Sequence, residues 1–185
     1  AFDVKFATKE GGQEHVWATS WGVSTRLMGA LVMTHSDDNE LVLPPKLAPI
    51  QVVIVPIYRG EEQLDSISQV AKELKRELQL LGISVKFDDR DTHKPGWKFN
   101  EYELKGVPLR IAIGPRDLEK RTVELARRDT LTKETVSKDD IVSRVQDLLV
   151  EMQKALFDKA KSFRDTHITE VETYDEFKDI LENKT

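Results

Sequence analysis

The sequence predicts an α/β layer sandwich of about 100 residues, and two features predict it. From residue 51 onwards strand and helix patterns alternate in the order β-α-β-α-β-β. The first of these strands, "QVVIVPI" (51–57), is a nearly continuous β-branched run, as expected of a strand buried on both faces of a parallel sheet. With 185 residues, 39% hydrophobic and 33% charged, the chain is long enough for one ordinary core with pieces of others beside it.

Taken in order, "AFDVKFATKEGGQEHVWATS" reads as a hairpin around Gly11 and Gly12 that would pair into a larger sheet. With Ala1 in place of a methionine, this predicts a fragment of a longer protein. A strand-like run holding Trp17 and Trp21 ends at Gly22, and Leu27, Met28, Leu31 and Val32 then recur at helical spacing. Ser24 is the expected cap, which puts Arg26 in the first turn. A cation there opposes the helix macrodipole, so something negative is expected beside it. The polar turn "THSDDNE", the apolar run 41–43 and the stiff connector "PPKLAP" (44–49) follow, and a domain boundary is expected at the connector.

Within the sandwich, Leu64, Ile67, Val70, Ala71, Leu74, Leu78 and Leu81 mark a helix closed by Gly82. "ISVKFDD" reads as a second strand, "KFNEYELK" as a short helix stopped by Gly106 and Pro108, "PLRIAIG" as a third strand and "TVELARRD" as a fourth. From Ser137 the positions Ile141, Val145, Leu148, Leu149, Met152, Leu156 and Phe163 predict a long helix. A shorter one begins near "TYDEF", where Thr173 and Glu176 have capping-box spacing. No internal repeat, heptad seam or low-complexity segment is present.

Composition excludes several kinds of chemistry. A formal net charge of −5 argues against nucleic-acid binding by charge alone, so any RNA contact should be selective. The absence of cysteine removes disulfides, thiol catalysis and cysteine-ligated zinc, and fits an intracellular setting. No apolar run reaches the roughly 18 residues of a spanning helix and the N-terminus has no signal core, which predicts a cytoplasmic protein without membrane contact. His15, His35, His93 and His167 are scattered without metal-ligand spacing, so no metal site is expected. A P-loop, a dinucleotide-binding glycine fingerprint and a nucleophile elbow are absent. The acidic stretch "DDRD" (88–91) offers a phospho-acceptor cluster like that of a receiver domain, or a solvated turn, which is the favoured reading.

Residues 96–119, "GWKFNEYELKGVPLRIAIGPRDLE", carry more information. Phe99 and Glu103 share one helix face, Arg110 begins the next strand, and Arg116 and Asp117 follow the turn at its far end. Aromatic, carboxylate and guanidinium groups together suit single-stranded base recognition, with a ring to stack on and charges to read an edge. A carboxylate suits guanine, whose Watson–Crick edge presents two adjacent donors; two carboxylates could read two guanines. The alternative is a core phenylalanine among ordinary surface ion pairs.

Two blocks carry a family resemblance. "TSWGVSTRLMGALVMTHSDDNELVLPPKLAPIQVVIVPI" resembles the motif 3 region of class II aminoacyl-tRNA synthetases running into the anticodon-binding domain of prolyl-tRNA synthetases. "DDRDTHKPGWKFNEYELKGVPLRIAIGPRDLE" is similar to the anticodon-reading segment of their archaeal and eukaryotic-like form, and the likeness continues to "SFRDTHITEVETYDEFKDILE". The resemblance implies a mixed, mostly parallel sheet flanked by helices, preceded by an antiparallel remnant of the catalytic domain. It assigns 1–43 to the end of the catalytic domain, 44–49 to a linker, 50–149 to the anticodon-binding domain and 150–185 to the helical start of a C-terminal domain.

The reaction implied is activation of proline by ATP, with Mg2+ in the intact enzyme, and transfer to tRNA(Pro). Arg26 would contact the ATP phosphates as the catalytic cation, with Ser24 and Thr25 lining the nucleotide, and Thr19, Ser20, Trp21 and Gly22 would border the proline and adenylate pocket. Phe99, Glu103, Arg110, Arg116, Asp117 and Lys133 fall on the anticodon-contact positions of the family, and proline anticodons end in two guanines. Motifs 1 and 2 are missing, so the fragment alone is expected not to aminoacylate. It is expected to hold no metal and to be monomeric, though cut from a homodimeric parent. The alternatives are the anticodon domain of a threonyl-, glycyl- or histidyl-type synthetase, a non-catalytic tRNA-binding module, and a receiver-like domain phosphorylated at Asp88 or Asp89.

Overall fold

Residues 2–183 are described by a computed structural model, and the chain divides between Ala30 and Leu31 into two compact units. In the first, strands β1 (Lys5–Ala7) and β2 (Gln13–His15) form the expected antiparallel hairpin, with Gly11 at φ +83 in its turn. The strand-like reading of the run around Trp17 and Trp21 is corrected: residues 16–24 are exposed and irregular. Pairing ends where the Val16 N–H reaches the Val4 carbonyl, and among the described residues no further strand lies alongside to complete a ladder. Helix α1 (Arg26–His35) starts at the arginine, whose N–H approaches Ser24 Oγ at 3.4 Å.

The second unit is built on a five-stranded sheet in the order β4-β3-β5-β6-β7, comprising β3 (Val52–Pro56), β4 (Val85–Phe87), β5 (Leu109–Ile113), β6 (Thr122–Arg127) and β7 (Lys133–Ser137). β3 pairs parallel with both β4 and β5, whereas β5-β6 and β6-β7 are antiparallel, so only β6 runs against the other four. The fold class expected from the sequence is therefore observed. Between β3 and β4 runs α2 (Glu61–Leu80), and between β4 and β5 runs α3 (Pro95–Leu104). Ile67, Ala71, Leu74 and Leu78 of α2 share one core with Val145, Leu148 and Met152 of α5 (Ile141–Thr166) and with Val52, Ile54, Leu109 and Ile111 of the sheet. Val53 and Val55, facing the other way, pack with Tyr102 and Val107 beside α3. Both faces of β3 are thus covered, as its continuous apolar run requires.

Two glycines end helices by the same device. After α2, Gly82 sits at φ +78, donating to the Gln79 carbonyl while Ile83 donates to that of Leu78. After α3, Gly106 at φ +66 donates to Glu103 and Val107 donates to Tyr102. Both are the paired terminal bonds of a Schellman motif, in which the left-handed residue is most cheaply glycine. Gly106 carries a second constraint: a Cβ there would lie 2.8 and 2.9 Å from Cγ of Leu41 and Leu43.

Several boundaries differ from the sequence reading. The turn expected after "PLRIAIG" is a short helix, α4 (Pro115–Lys120), too brief to show periodicity. A fifth strand of this sheet, β7, was not expected because Val136 is the sole apolar residue in "KETVS". Ser137 pairs with Thr122 at its end, which delays the start of α5 to Ile141. α3 starts at Pro95, earlier than "KFNEYELK" suggests, since proline is well suited to a first turn. In α6 (Tyr174–Asn183) the capping box forms as expected, with Glu176 Oε2 accepting from the Glu172 and Thr173 N–H groups and Thr173 Oγ1 from that of Glu176.

Replacing Gly106 by alanine should lower the unfolding free energy by about 2–4 kcal/mol in urea titration, combining the left-handed penalty with overpacking. The same change at Gly96, helical and with open space around its Cβ position, should raise it by about 0.5–1 kcal/mol.

Candidate nucleic-acid interface

β5 places one charged side chain among apolar ones. Arg110 faces away from the α2/α5 core, in the cross-strand row Val53, Arg110, Ala126, Lys133; the next row is Val55, Ala112, Glu124, Thr135. α3 packs over β3 at one end of these rows, while Lys133 and Thr135 at the other end are exposed. The face is therefore exposed at its β7 end, while Val53, Val55, Arg110, Ala112 and Ala126 on it are buried.

Arg110 is 9% exposed. Its Cζ sits 3.7 Å from the Phe99 ring centroid, and its Nη1 donates to Glu103 Oε1 at 3.2 Å. Phe99 and Glu103 therefore meet Arg110 from one face of α3, as their spacing of four predicts. Burial pulls the Arg110 guanidinium below the ordinary arginine value, against the opposing effect of Glu103 and Glu124. Its Nε is buried without a hydrogen-bond partner among the described residues. The adjoining cavity of about 20 Å³, lined in part by Phe99, Glu103, Arg110 and Leu131, has room for a water but not for a base. The exposed approach to this cluster is from the side of Lys133 and Thr135 on β7.

The other predicted contacts lie further off. Lys133 stands two strands along the same row, about 10 Å from Arg110 by strand spacing, and its Nζ is 3.6 Å from Glu124 Oε1. Arg116 and Asp117 lie past the far end of β5 at the start of α4, where Asp117 Oδ2 accepts the Gly114 N–H at 2.8 Å. Tyr58, Arg59 and Gln63 line the same groove as Arg116 and Asp117, at the carboxyl ends of β3 and β5. The two carboxylates singled out in the sequence are thus at opposite ends of β5, and that of Asp117 already holds a helix terminus. In the first unit, Thr19, Ser20, Trp21, Gly22, Ser24, Thr25 and Arg26 are all exposed along one irregular segment and helix start. No group of three or more histidine, cysteine, aspartate or glutamate side chains able to hold a metal occurs among the described residues.

The sequence reading missed what holds α3. Asp88, expected in a solvated turn, is 1% exposed because the chain leaves β4 beneath α3; its N–H still donates to Ile54 as an extension of the sheet. Arg90 grips the Asp88 carboxylate with Nε at 2.8 Å and Nη2 at 2.6 Å, and also bonds Glu101. Tyr102 Oη donates to Asp88 Oδ2 at 3.2 Å. The buried Lys98 Nζ donates to the carbonyls of Asp88 at 2.9 Å and Arg90 at 2.5 Å. The available signal was Lys98 and Tyr102, themselves four apart and each one residue before Phe99 and Glu103.

Residues 51–148 match the family model described as the anticodon binding domain. The chain belongs to the anticodon-binding domain family. It is 72% identical over 184 residues to a proline–tRNA ligase of Christiangramia forsetii and 67% identical over 184 residues to that of Flavobacterium psychrophilum. Each match takes in 100% of this chain, which spans 37% of the length of either relative. Among solved structures, the prolyl-tRNA synthetase of Cryptosporidium parvum complexed with L-proline and AMP superposes with a TM-score of 0.85 at 41% identity, over 98% of this chain and 39% of that one. No helix among the described residues is long and apolar enough to cross a membrane.

Burial would raise the Asp88 carboxyl, but the Arg90 hydrogen bonds and the Lys98 charge outweigh it and hold the group well below the usual carboxylate range. A depressed carboxyl contributes stability above its unfolded pKa, near 3.9, and loses it as pH falls towards the folded value. Asp88→Asn should therefore cost about 3–5 kcal/mol at pH 7, by leaving the buried Lys98 without its counter-charge and Arg90 with Glu101 alone. Urea titrations across pH should show that difference constant from about pH 8 to 5 and shrinking below about pH 4.

Proposed function

We propose that this chain is the C-terminal third of a proline–tRNA ligase and that its β5-β6-β7 face reads guanine bases of the tRNA(Pro) anticodon. The observation that carries the reading is the Phe99, Glu103 and Arg110 cluster, which borders a sheet face exposed at its β7 end. Glu103 presents a carboxylate that can accept from N1–H and the exocyclic amine of guanine, which adenine cannot supply in that pattern. Arg110 holds the carboxylate in place through its hydrogen bond and sits over one face of the Phe99 ring, which leaves the rest of the ring to meet a base. Lys133, on the same face, serves the phosphate backbone. Arg116 and Asp117, with Tyr58 and Arg59, form a separate contact region beyond β5, so the two guanines would be read at two places rather than by adjacent carboxylates.

In this reading residues 1–43, the first unit together with the segment up to the connector at 44–49, are the end of the catalytic domain. Arg26, exposed at the start of α1, would neutralise ATP phosphate, with Ser24 and Thr25 beside it; Thr19, Ser20, Trp21 and Gly22 would border the proline and adenylate pocket completed by residues outside this chain. The ATP and Mg2+ belong to that completed site, and the setting is the cytoplasm, where tRNA is charged.

The test compares charging of a proline tRNA transcript with one whose two anticodon guanines are replaced by adenines, in the full-length protein. Glu103→Ala should reduce the preference for guanine by about 10- to 100-fold, the worth of a two-bond base contact. Proline-dependent pyrophosphate exchange should be untouched by that change and abolished by Arg26→Ala. An unchanged base preference would overturn the base-reading assignment, and exchange surviving Arg26→Ala would overturn the catalytic one.

A further inference from the structure

We propose that Lys98, buried at the first turn of α3, is a positioning residue that sets guanine selectivity by fixing the rotation of α3 against Asp88; this rests on the base-reading site proposed above. Residues 88–94 carry no regular structure between β4 and α3, and Lys94 at the helix start makes no side-chain cap. The helix is instead anchored by side chains on one stripe. Lys98 ties it to the Asp88 and Arg90 carbonyls and lies 3.6 Å from Asp88 Oδ1, and Tyr102, one turn on, bonds Asp88 Oδ2. Phe99 and Glu103 form the neighbouring stripe, each one residue further along, about 100° around the helix.

The two stripes move together. A rotation of α3 by about 20° would shift a carboxylate some 6 Å from the axis by about 2 Å, more than the 1 Å or so that defines a productive contact. Packing does not supply the same constraint, because the apolar contacts of α3 with Val53 and Val55 are non-directional and tolerate a small roll. Nor is stability a sufficient reason for the network. A buried ion pair is often no better than apolar residues of the same volume, so its use here points to geometry. Arg90, which grips both oxygens of Asp88 and reaches Glu101, completes the clamp from outside.

The experiment measures binding of the full-length protein to the guanine and adenine transcripts in Lys98→Met, Tyr102→Phe and Glu103→Ala, with melting temperature recorded alongside. If Lys98 acts by position, Lys98→Met and Tyr102→Phe each lower the guanine-to-adenine affinity ratio by about tenfold while affinity for the adenine transcript stays unchanged. General destabilisation would weaken both transcripts equally and leave the ratio intact. Should Lys98→Met fail to fold, Tyr102→Phe alone decides, since it removes one hydroxyl and keeps the ring. A wild-type ratio in Tyr102→Phe or a folded Lys98→Met, with the ratio lost in Glu103→Ala, overturns the positioning role. A wild-type ratio in Glu103→Ala overturns the base-reading site, and the inference with it.

Discussion

The guanidinium of Arg110, buried in the middle of an apolar sheet, is the constraint around which the second unit is arranged. Of the ten residues in β3 and β5 it alone is charged, and both strands are buried along their whole length. A cation in that position is costly unless it is paired and stacked. α3 supplies both partners from one face, the Glu103 carboxylate and the Phe99 ring. The placement of α3 then becomes a matter of ångströms, and the network around Asp88 answers it by binding the helix through Lys98 and Tyr102. Gly106 ends the helix where Leu41 and Leu43 close over it, so the segment preceding the sheet also bears on the position of α3.

The architecture was legible where burial is continuous or helical periodicity is long. "QVVIVPI" could hardly be anything but a strand covered on both faces, and the stripes of α2 and α5 span enough turns to be unambiguous. β7 and α4 escaped because neither has enough apolar residues to show a period; β7 is held by its ladder to β6 and α4 by the Asp117 cap. The run holding Trp17 and Trp21 failed for the opposite reason. Its residues have strand character, but a strand is defined by its neighbours, and β1 stops pairing at the Val4–Val16 bond.

At the candidate site, Phe99, Glu103 and Arg110 could be brought together on paper because two of them share a helix face and the third begins the next strand. The separation of Asp117 from Glu103 could not be seen, since it depends on β5 running between them. The Asp88 network was hidden by composition. Three aspartates and an arginine in four residues look like a solvated turn, and two of the aspartates, Asp89 and Asp91, are in fact exposed. Only the path of the chain beneath α3 singles out Asp88, and no local pattern encodes that path.

Net charge bears on the proposed base reading as well. A chain at −5 repels a phosphate backbone overall, so affinity from counterion release must be modest. If the proposed base reading holds, selectivity would come from base edges, where a carboxylate is an asset: it accepts two donors from guanine and is repelled by the phosphates that every sequence shares. Ionised carboxylates at a nucleic-acid face are tolerable only if neighbouring cations hold them in place. Arg110 does so for Glu103 directly, and Lys133 stands 3.6 Å from Glu124 on the same face. On the proposed reading, the acidic character of the chain would be part of its discrimination, trading general affinity for a requirement that the right base be present.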